Sequence, residues 1–217
     1  MSYDSSLQVL PTPVTTPAGP GWNSQSLSLV TPSSGERLNG GAVVGVNKGG
    51  AYWKIQLSYN GGTPSAYAGI FAVLNSLTVY NTKFYVSLPY MTEPASGAWG
   101  SGTGTNAGRG LLSKISTNTI RVSNKSQLAG TLEVGDMIKL STGSKIYTVQ
   151  AVIEGTSTID FVLNSMIVST VDGLTYLQPD NIKFKVVVNG SLPSYRINTS
   201  GLVEGFSLDL EESVEDE

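Results

Sequence analysis

Two carboxylates that could act together, Glu133 and Asp136, lie close to each other in the stretch LEVGDMI. Paired carboxylates serve as acid and base, or acid and nucleophile, in glycoside hydrolysis. Here Gly135 predicts a turn that enters a strand, and an aspartate in this position can accept bonds from nearby backbone N–H groups. We therefore predict that Asp136 stabilises a turn and that neither carboxylate is catalytic.

The other residue types that carry chemistry are absent or isolated. The chain has no histidine and no cysteine, which excludes Ser-His-Asp and Cys-His schemes, His-based zinc sites and disulfides. No segment has the spacing of a calcium loop. Asp172, in TVDGL, indicates a turn, and Asp160 is interpreted as a charge on an edge strand. We predict no catalytic residue, no metal ligand and no cofactor.

The segment GTGTNA, residues 102–107, has the spacing of a dinucleotide-binding loop. Such a loop needs a strand before it and a helix after it, and the flanking sequences EPASGAWGS and GRGLLSK predict neither. We interpret the segment as part of a flexible linker.

Three tryptophans are candidates for contacts with a ligand or a partner. Trp53 lies in an alternating strand and is predicted to pack in the core, whereas Trp22 is predicted to anchor the end of an N-terminal arm. Trp99 lies in a glycine-rich segment and is predicted to be exposed. It is therefore the first candidate to stack on a sugar or a base.

Charge is sparse and concentrated at the C-terminus. Charged residues make up 13% of the chain, against roughly 25% in ordinary proteins. Five acids lie in the final EESVEDE, and without them 13 basic and 11 acidic residues remain, which gives little electrostatic grip on nucleic acid. The tail is predicted to be solvated and disordered, or else a docking strip for a basic partner. No apolar run is long enough to span a membrane, and the N-terminus lacks signal-peptide features, so we expect a soluble protein made in a cytoplasm.

Hydrophobic spacing predicts the elements of the first and last thirds of the chain. Residues 1–35, rich in proline, predict an extended arm. Residues 51–59, 82–89, 181–188 and 206–212 alternate as half-buried strands. Residues 65–77 predict a helix capped by Ser65, whose apolar face would cover a sheet. The residues predicted for that face are Tyr67, Ile70, Phe71, Leu74 and Leu77.

The middle of the chain predicts a separate β-module. Six glycines in residues 92–110 indicate a boundary, and four short runs rich in β-branched residues follow it: NTIRV, DMIKLS, KIYTVQAV and STIDFVL. We predict a mainly β protein with one packed helix and an inserted small β-module. The predicted units are an arm (1–35), a discontinuous β domain (36–98 and 173–211), the insertion (99–172) and an acidic tail (212–217).

The order of GAYWKIQLSYN, SAYAGIFAVLNSL and TKFYVSLP resembles the N-terminal part of tail proteins from tailed bacteriophages. LEVGDMIKLSTGSKIYTVQAVI is similar to the insertions of distal-tail and baseplate-hub proteins, and GLVEGFSLDLEES resembles their closing strand. The resemblance implies a tail-tube-like β-sandwich or barrel that is finished by neighbouring subunits. The basic face that carries Lys183 and Lys185 departs from the acidic or neutral channel lining expected in such tubes.

The resemblance further implies a non-enzymatic subunit of a phage tail, at the distal tail, the baseplate hub or the tube. Its copies would form a homo-oligomeric ring, six-fold in symmetry, around a channel through which DNA passes without specific binding. Neighbouring tube, hub or fibre proteins would be its partners, and the virion its location after synthesis in the host cytoplasm. Two alternatives stay open: a carbohydrate- or receptor-binding β-module that uses Trp99 and exposed tyrosines for stacking, and a carboxylate glycosidase that uses Glu133 and Asp136.

Overall fold

The structure, a computed structural model, describes residues 8–13, 15, 18–37, 43–47, 50–77, 82–88, 94–97, 99 and 108–214. The fold is mainly β, with 40% of the described residues in strands and 9% helical, which confirms the predicted fold class. The first seven strands are β1 (Ser24–Val30), β2 (Ser33–Arg37), β3 (Val43–Asn47), β4 (Tyr52–Tyr59), β5 (Phe84–Ser87), β6 (Leu112–Lys114) and β7 (Thr119–Val122). The remaining six are β8 (Met137–Leu140), β9 (Ile146–Glu154), β10 (Ile159–Leu163), β11 (Leu177–Gln178), β12 (Lys183–Val188) and β13 (Phe206–Glu212).

The larger core lies on a five-stranded antiparallel sheet with the order β1-β4-β13-β12-β5. Its central pair, β4 and β13, joins residues far apart in the chain, with Leu57 opposite Leu208 and Ile55 opposite Leu210. Side chains alternate across a strand, so these residues share one face, and all of them are at most 1% exposed. The predicted inward face of residues 51–59 is confirmed.

The helix α1 (Pro64–Ser76) covers that face and is the only α-helix among the described residues. All five residues predicted for its apolar face are buried, and Val73 joins them. The predicted cap was wrong: the N-cap residue is Thr63, which makes no side-chain capping bond, and Pro64 begins the helix. Proline suits the first helical position because its fixed φ is already helical and its missing N–H needs no partner there. No helix in the described part of the chain is long and apolar enough to cross a membrane.

The second core lies inside a six-stranded sheet with the order β11-β8-β9-β10-β7-β6. This sheet curls until its two edges meet: Leu111 bridges Tyr176, and Leu112 N donates to Thr175 O at 2.8 Å. The four runs of the predicted insertion form β7, β8, β9 and β10. The sheet continues to Gln178, beyond the limit predicted at residue 172, because β11 is a two-residue strand that pairs with β8 and is too short to show a periodicity of its own.

The predicted arm, residues 1–35, is wrong where the structure describes its two ends. Residues 24–30 form β1, which pairs with β4 along its whole length. Farther upstream, Val9 bridges Tyr85 in parallel, and Leu10, fully buried, belongs to the larger core. The prolines therefore shape the path between two sheet-bound pieces of the subunit's own fold.

The predicted acidic tail, residues 212–217, is wrong at its first residue. Glu212 is the last residue of β13 and is 5% exposed, while Glu211 forms an ion pair with Lys54 at 3.0 Å. Residues 215–217 lie outside the described residues.

Candidate functional site

Asp136, the first candidate for acid-base chemistry, has both carboxylate oxygens bonded to backbone N–H groups at its turn. It is 5% exposed, and its two oxygens accept bonds from Ala95 N and Glu133 N, each at 2.7 Å. Gly135 has a φ of 102°, a conformation that suits glycine, and so allows the chain to turn back toward β8. The predicted backbone bonding of Asp136 is confirmed, and the exposed side chain of Glu133 does not converge with it on a cleft.

The other two aspartates also have local partners. Asp172 accepts from Leu174 N at 2.9 Å and from the Thr175 hydroxyl at 2.9 Å, as expected for a turn residue. The expectation for Asp160 was wrong, because β10 lies between β9 and β7 and is not an edge strand. Its carboxylate instead meets Arg121 across the strand pair, at 2.6 and 2.7 Å. No group of three or more potential metal-ligating side chains occurs among the described residues.

Trp99, the first candidate for stacking on a ligand, is buried, so the prediction that it is exposed was wrong. It is 9% exposed, packs in the core of the six-stranded sheet, and donates from Nε1 to Gly108 O at 3.2 Å. The backbone of Gly130 covers its ring so closely that an added Cβ would lie 3.0 Å from it. Trp53 is buried as predicted, and Trp22 packs edge-to-face on Tyr59 with centroids 6.5 Å apart. The GTGTNA segment lies outside the described residues.

A surface cleft of about 460 Å³ lies near Trp99, between the 3₁₀ turn at Lys125–Gln127 and the end of β9. Its charged groups are Lys125 and Glu154, which pair with each other at 3.4 Å and are both well exposed. The rest of its lining is Leu128, Ala129, Gly130, Thr131, Leu132 and Ile159. The cleft therefore presents no pair of groups poised for catalysis.

The most unusual chemistry lies where the two sheets meet, around Glu212. Leu208 and Leu210 point into the larger core, and the next residue on that face of β13 is Glu212. Its Oε1 accepts from Ile146 N at 2.7 Å, and its Oε2 accepts from Trp53 N at 3.2 Å. One carboxylate therefore holds the first residue of β9, in the six-stranded sheet, and the beginning of β4, in the five-stranded sheet.

Two further bonds cross the same junction. Trp53 Nε1 donates to Ile146 O at 3.0 Å, so Ile146 is bonded through both its N–H and its carbonyl. Lys145, only 1% exposed, donates from its ammonium group to Ala51 O and lies over the Tyr147 ring at 5.6 Å. We call Trp53, Lys145, Ile146 and Glu212 the sheet junction.

Burial dominates the ionisation of the sheet junction. It raises the pKa of Glu212 to about 7, against the opposing effects of the Ile146 N–H, the Lys145 charge and the Trp53 N–H. Burial likewise lowers the pKa of Lys145, although the charge of Glu212 partly restores it. A charge removed from water is costly even when it is paired, which explains both directions.

The sequence pattern does not single out Glu212, because the acids around it favour its assignment to the acidic tail. A signal was present, since the alternation of Phe206, Leu208 and Leu210 places Glu212 on the same inward face. Because the junction is closed to solvent and its polar atoms bond to protein, it serves to hold the two sheets together and has no groups free to bind a substrate.

No family model matches the chain. It is 29% identical over 209 residues to distal tail protein pb9 of Escherichia phage T5, an alignment that covers 94% of this chain and 99% of that protein. The predicted resemblance to a structural protein of phage tails is thereby confirmed.

Proposed function

We propose that this protein is a non-enzymatic structural subunit of a bacteriophage tail and that it acts as a distal tail protein. The observation that carries the proposal is the end-to-end similarity to distal tail protein pb9, which includes both sheets. A short shared motif would support a similar fold for one module only, whereas an alignment of this extent supports a similar fold for the whole chain.

The chemistry of the described residues supports a structural role. Asp136, Asp160 and Asp172 are engaged in turns or ion pairs, and Glu212 is bonded within the sheet junction. The alternative of a glycan-binding module was based on an exposed Trp99, and that ring is covered. The glycosidase alternative needed Glu133 and Asp136 to face a substrate together, and they do not.

We further propose that the chain is organised as a discontinuous β domain with an inserted module. The five-stranded sheet takes strands from residues 24–87 and 183–212, and the six-stranded sheet takes its strands from residues 112–178. In the assembled tail, the first would build the ring body and the second would reach its neighbours.

The outer edge of β1 is the edge that we propose for pairing between copies. β1 bonds to β4 on one side, and no strand in the described ranges pairs with its other side. Its sequence, SQSLSLV, has neither a charge nor a proline, the devices that normally protect a free edge. At the opposite end of the sheet, β5 is already bridged by Val9. A ring needs head-to-tail contacts between two different surfaces, so the edge of β1 would meet a different surface of the next copy.

The interior of such a ring would let DNA pass without specific binding. On the basic face predicted for β12, Lys185 is 8% exposed and Lys183 is half-buried, so this face would present little charge to a channel. The low net charge of −3 is likewise compatible with a surface on which DNA slides.

Averaged electron-microscopy images of intact tails test this function. We expect copies of this structure to fit density at the distal end of the tail as a closed ring around the channel. If the protein is absent from purified tails, or if it is a lone monomer that binds glycan, the proposal fails and the carbohydrate-binding alternative gains support.

The edge-pairing step has its own test. The double variant Ser26→Lys/Ser28→Lys places two charges on exposed positions of β1 and should reduce incorporation of the protein into tails. The matched control is Ser123→Lys/Ser157→Lys, which adds the same charges at exposed loop positions next to the six-stranded sheet. Equal incorporation of both variants would show that β1 is not the contact.

A further inference from the structure

We propose that the sheet junction is a latch that fixes the six-stranded sheet on the five-stranded sheet and that loosens when the buried carboxyl group of Glu212 ionises. The proposal depends on the contacts within one subunit and is independent of the proposed function.

The geometry of Glu212 carries the first step. Its two oxygens accept from backbone groups of different sheets, at 2.7 Å from Ile146 N and 3.2 Å from Trp53 N. Neither N–H belongs to its own strand, so the carboxyl group contributes a contact between elements. Removing it leaves two buried donors unpaired, which destabilises the closed arrangement of the two sheets.

The polar contacts lie within an apolar interface. Met137 and Ile146, on the outer face of the six-stranded sheet, belong to the larger core together with Trp53. Met137 lies opposite Thr148, and Ile146 lies opposite Lys139, so this face presents few large apolar groups. Because apolar packing gives little directional preference, the bonds of Glu212 and Trp53 determine the angle at which the sheets meet.

Ionisation of the Glu212 carboxyl group is what would shift the equilibrium between the closed and open arrangements of the two sheets. Burial raises the pKa of Glu212 to about 7, whereas an exposed glutamate has a pKa near 4.5. An open arrangement that exposes Glu212 to water therefore binds its proton less tightly than the closed one. By linkage, raising the pH from about 4.5 to about 7 favours the open arrangement, with a ceiling of roughly 300-fold in the equilibrium constant for a difference of about 2.5 units.

Other charged or titratable groups lie around Glu212 on the elements packed against it. Lys145 faces it from the turn before β9, and its ammonium group attracts the carboxylate. Tyr147, on β9, has its pKa raised by burial, and Lys139 lies on β8 opposite Ile146. On the opposite face of β13, Glu211 pairs with Lys54, also within the five-stranded sheet.

A distance measurement across the two sheets tests the latch. The chain has no cysteine, so Ala72→Cys on α1 and Ser157→Cys beyond β9 give two unique spin-label positions, both exposed. We expect a narrow distance distribution at pH 5 that broadens toward pH 8. The variant Glu212→Gln keeps one acceptor oxygen and has no charge to lose, so the width of its distribution should not change with pH.

The matched pair Glu212→Ala and Glu211→Ala separates the latch from a general effect of removing a charge. We expect the first to broaden the distribution at pH 5 and the second to leave it narrow. If Glu212→Ala does not fold, Trp53→Phe removes the indole bond to Ile146 O together with part of the ring, leaves the carboxyl group in place, and should broaden the distribution by itself. Narrow distributions in every foldable variant of Glu212 and Trp53, or a background protein unaffected by pH, would overturn the proposal.

Discussion

The two sheets of this protein use the same alternating pattern of apolar residues and reach closure in different ways. The six-stranded sheet curls until residues near its two edges bond, and its core is formed by its own strands together with Trp99 and neighbouring loop residues. The five-stranded sheet stays open and needs α1, Leu10 and two residues of the other sheet to cover it. A sheet built from contiguous sequence can close by itself, whereas a sheet built from both ends of the chain is completed by what lies between them.

The two cores meet at β9. On β9, Ile146 faces the larger core and Tyr147, the next residue, faces the smaller one. One strand serves both cores because successive side chains point to opposite faces. The sheet junction adds the polar contacts that hold this shared strand in place.

The largest effect is expected from truncation of one aromatic residue in each core. Phe161→Ala and Phe184→Ala each remove a fully buried ring, and each should reduce the free energy of unfolding by about 3–5 kcal/mol. Native-state hydrogen exchange should show Phe161→Ala loosening mainly β7 and β10, and Phe184→Ala loosening mainly β12 and β5. Loosening of all strands by both variants would mean that the two cores form one cooperative unit.

The next effect concerns the charge between the cores. Because burial raises the pKa of Glu212 to about 7, the folded state keeps a proton that the unfolded chain releases near 4.5. The free energy of unfolding should therefore fall as the pH rises from about 4.5 to about 7, by on the order of 3 kcal/mol. Denaturant titrations at several pH values measure this slope, which should disappear in Glu212→Gln. The same slope in the variant would assign the effect to other groups.

A smaller effect is expected from the turn that leads into β8. Asp136→Ala leaves Ala95 N and Glu133 N without their acceptor and should destabilise the protein by about 1–3 kcal/mol. Thermal unfolding of this variant beside Asp172→Ala, a more exposed turn residue, measures the difference. Equal losses would indicate that burial of the turn adds nothing to its bonds.

The smallest effect is expected on the outer surface of the six-stranded sheet. Arg121 and Asp160 meet with good geometry at 2.6 Å, but the arginine side chain is 39% exposed. A double-mutant cycle with alanine should give a coupling free energy of about 1 kcal/mol or less. A much larger value would mean that this exposed pair contributes more to the sheet than a surface ion pair ordinarily does.

Much of the fold could be predicted because its signals are local. The alternation in residues 51–59 and the helical spacing of Tyr67, Ile70 and Phe71 place these side chains on the faces that the structure buries. The absence of histidine and cysteine likewise excluded whole classes of chemistry before any contact was known. Asp136 could be assigned to a turn because its partner Glu133 is a near neighbour in the sequence.

The predictions that were wrong concern residues whose burial or pairing depends on distant parts of the chain. Trp99 lies among glycines, and only its contacts with distant parts of the six-stranded sheet bury it. The prolines before residues 24–30 led to their assignment to an extended arm. The acids after Glu212 led to its assignment to the acidic tail. In the last two cases the composition of a long window outweighed a short alternating pattern.

The sequence by itself determined which residues of each strand and of α1 are apolar on one face, and it excluded catalysis by histidine or cysteine. Only the tertiary structure decided that strands from the first and last thirds of the chain share one sheet, that Trp99 is covered, and that Glu212 bonds Ile146 and Trp53. The physical reason is that periodicity reports the face of a local element, whereas the burial of a charge or a ring depends on partners that may lie anywhere along the chain.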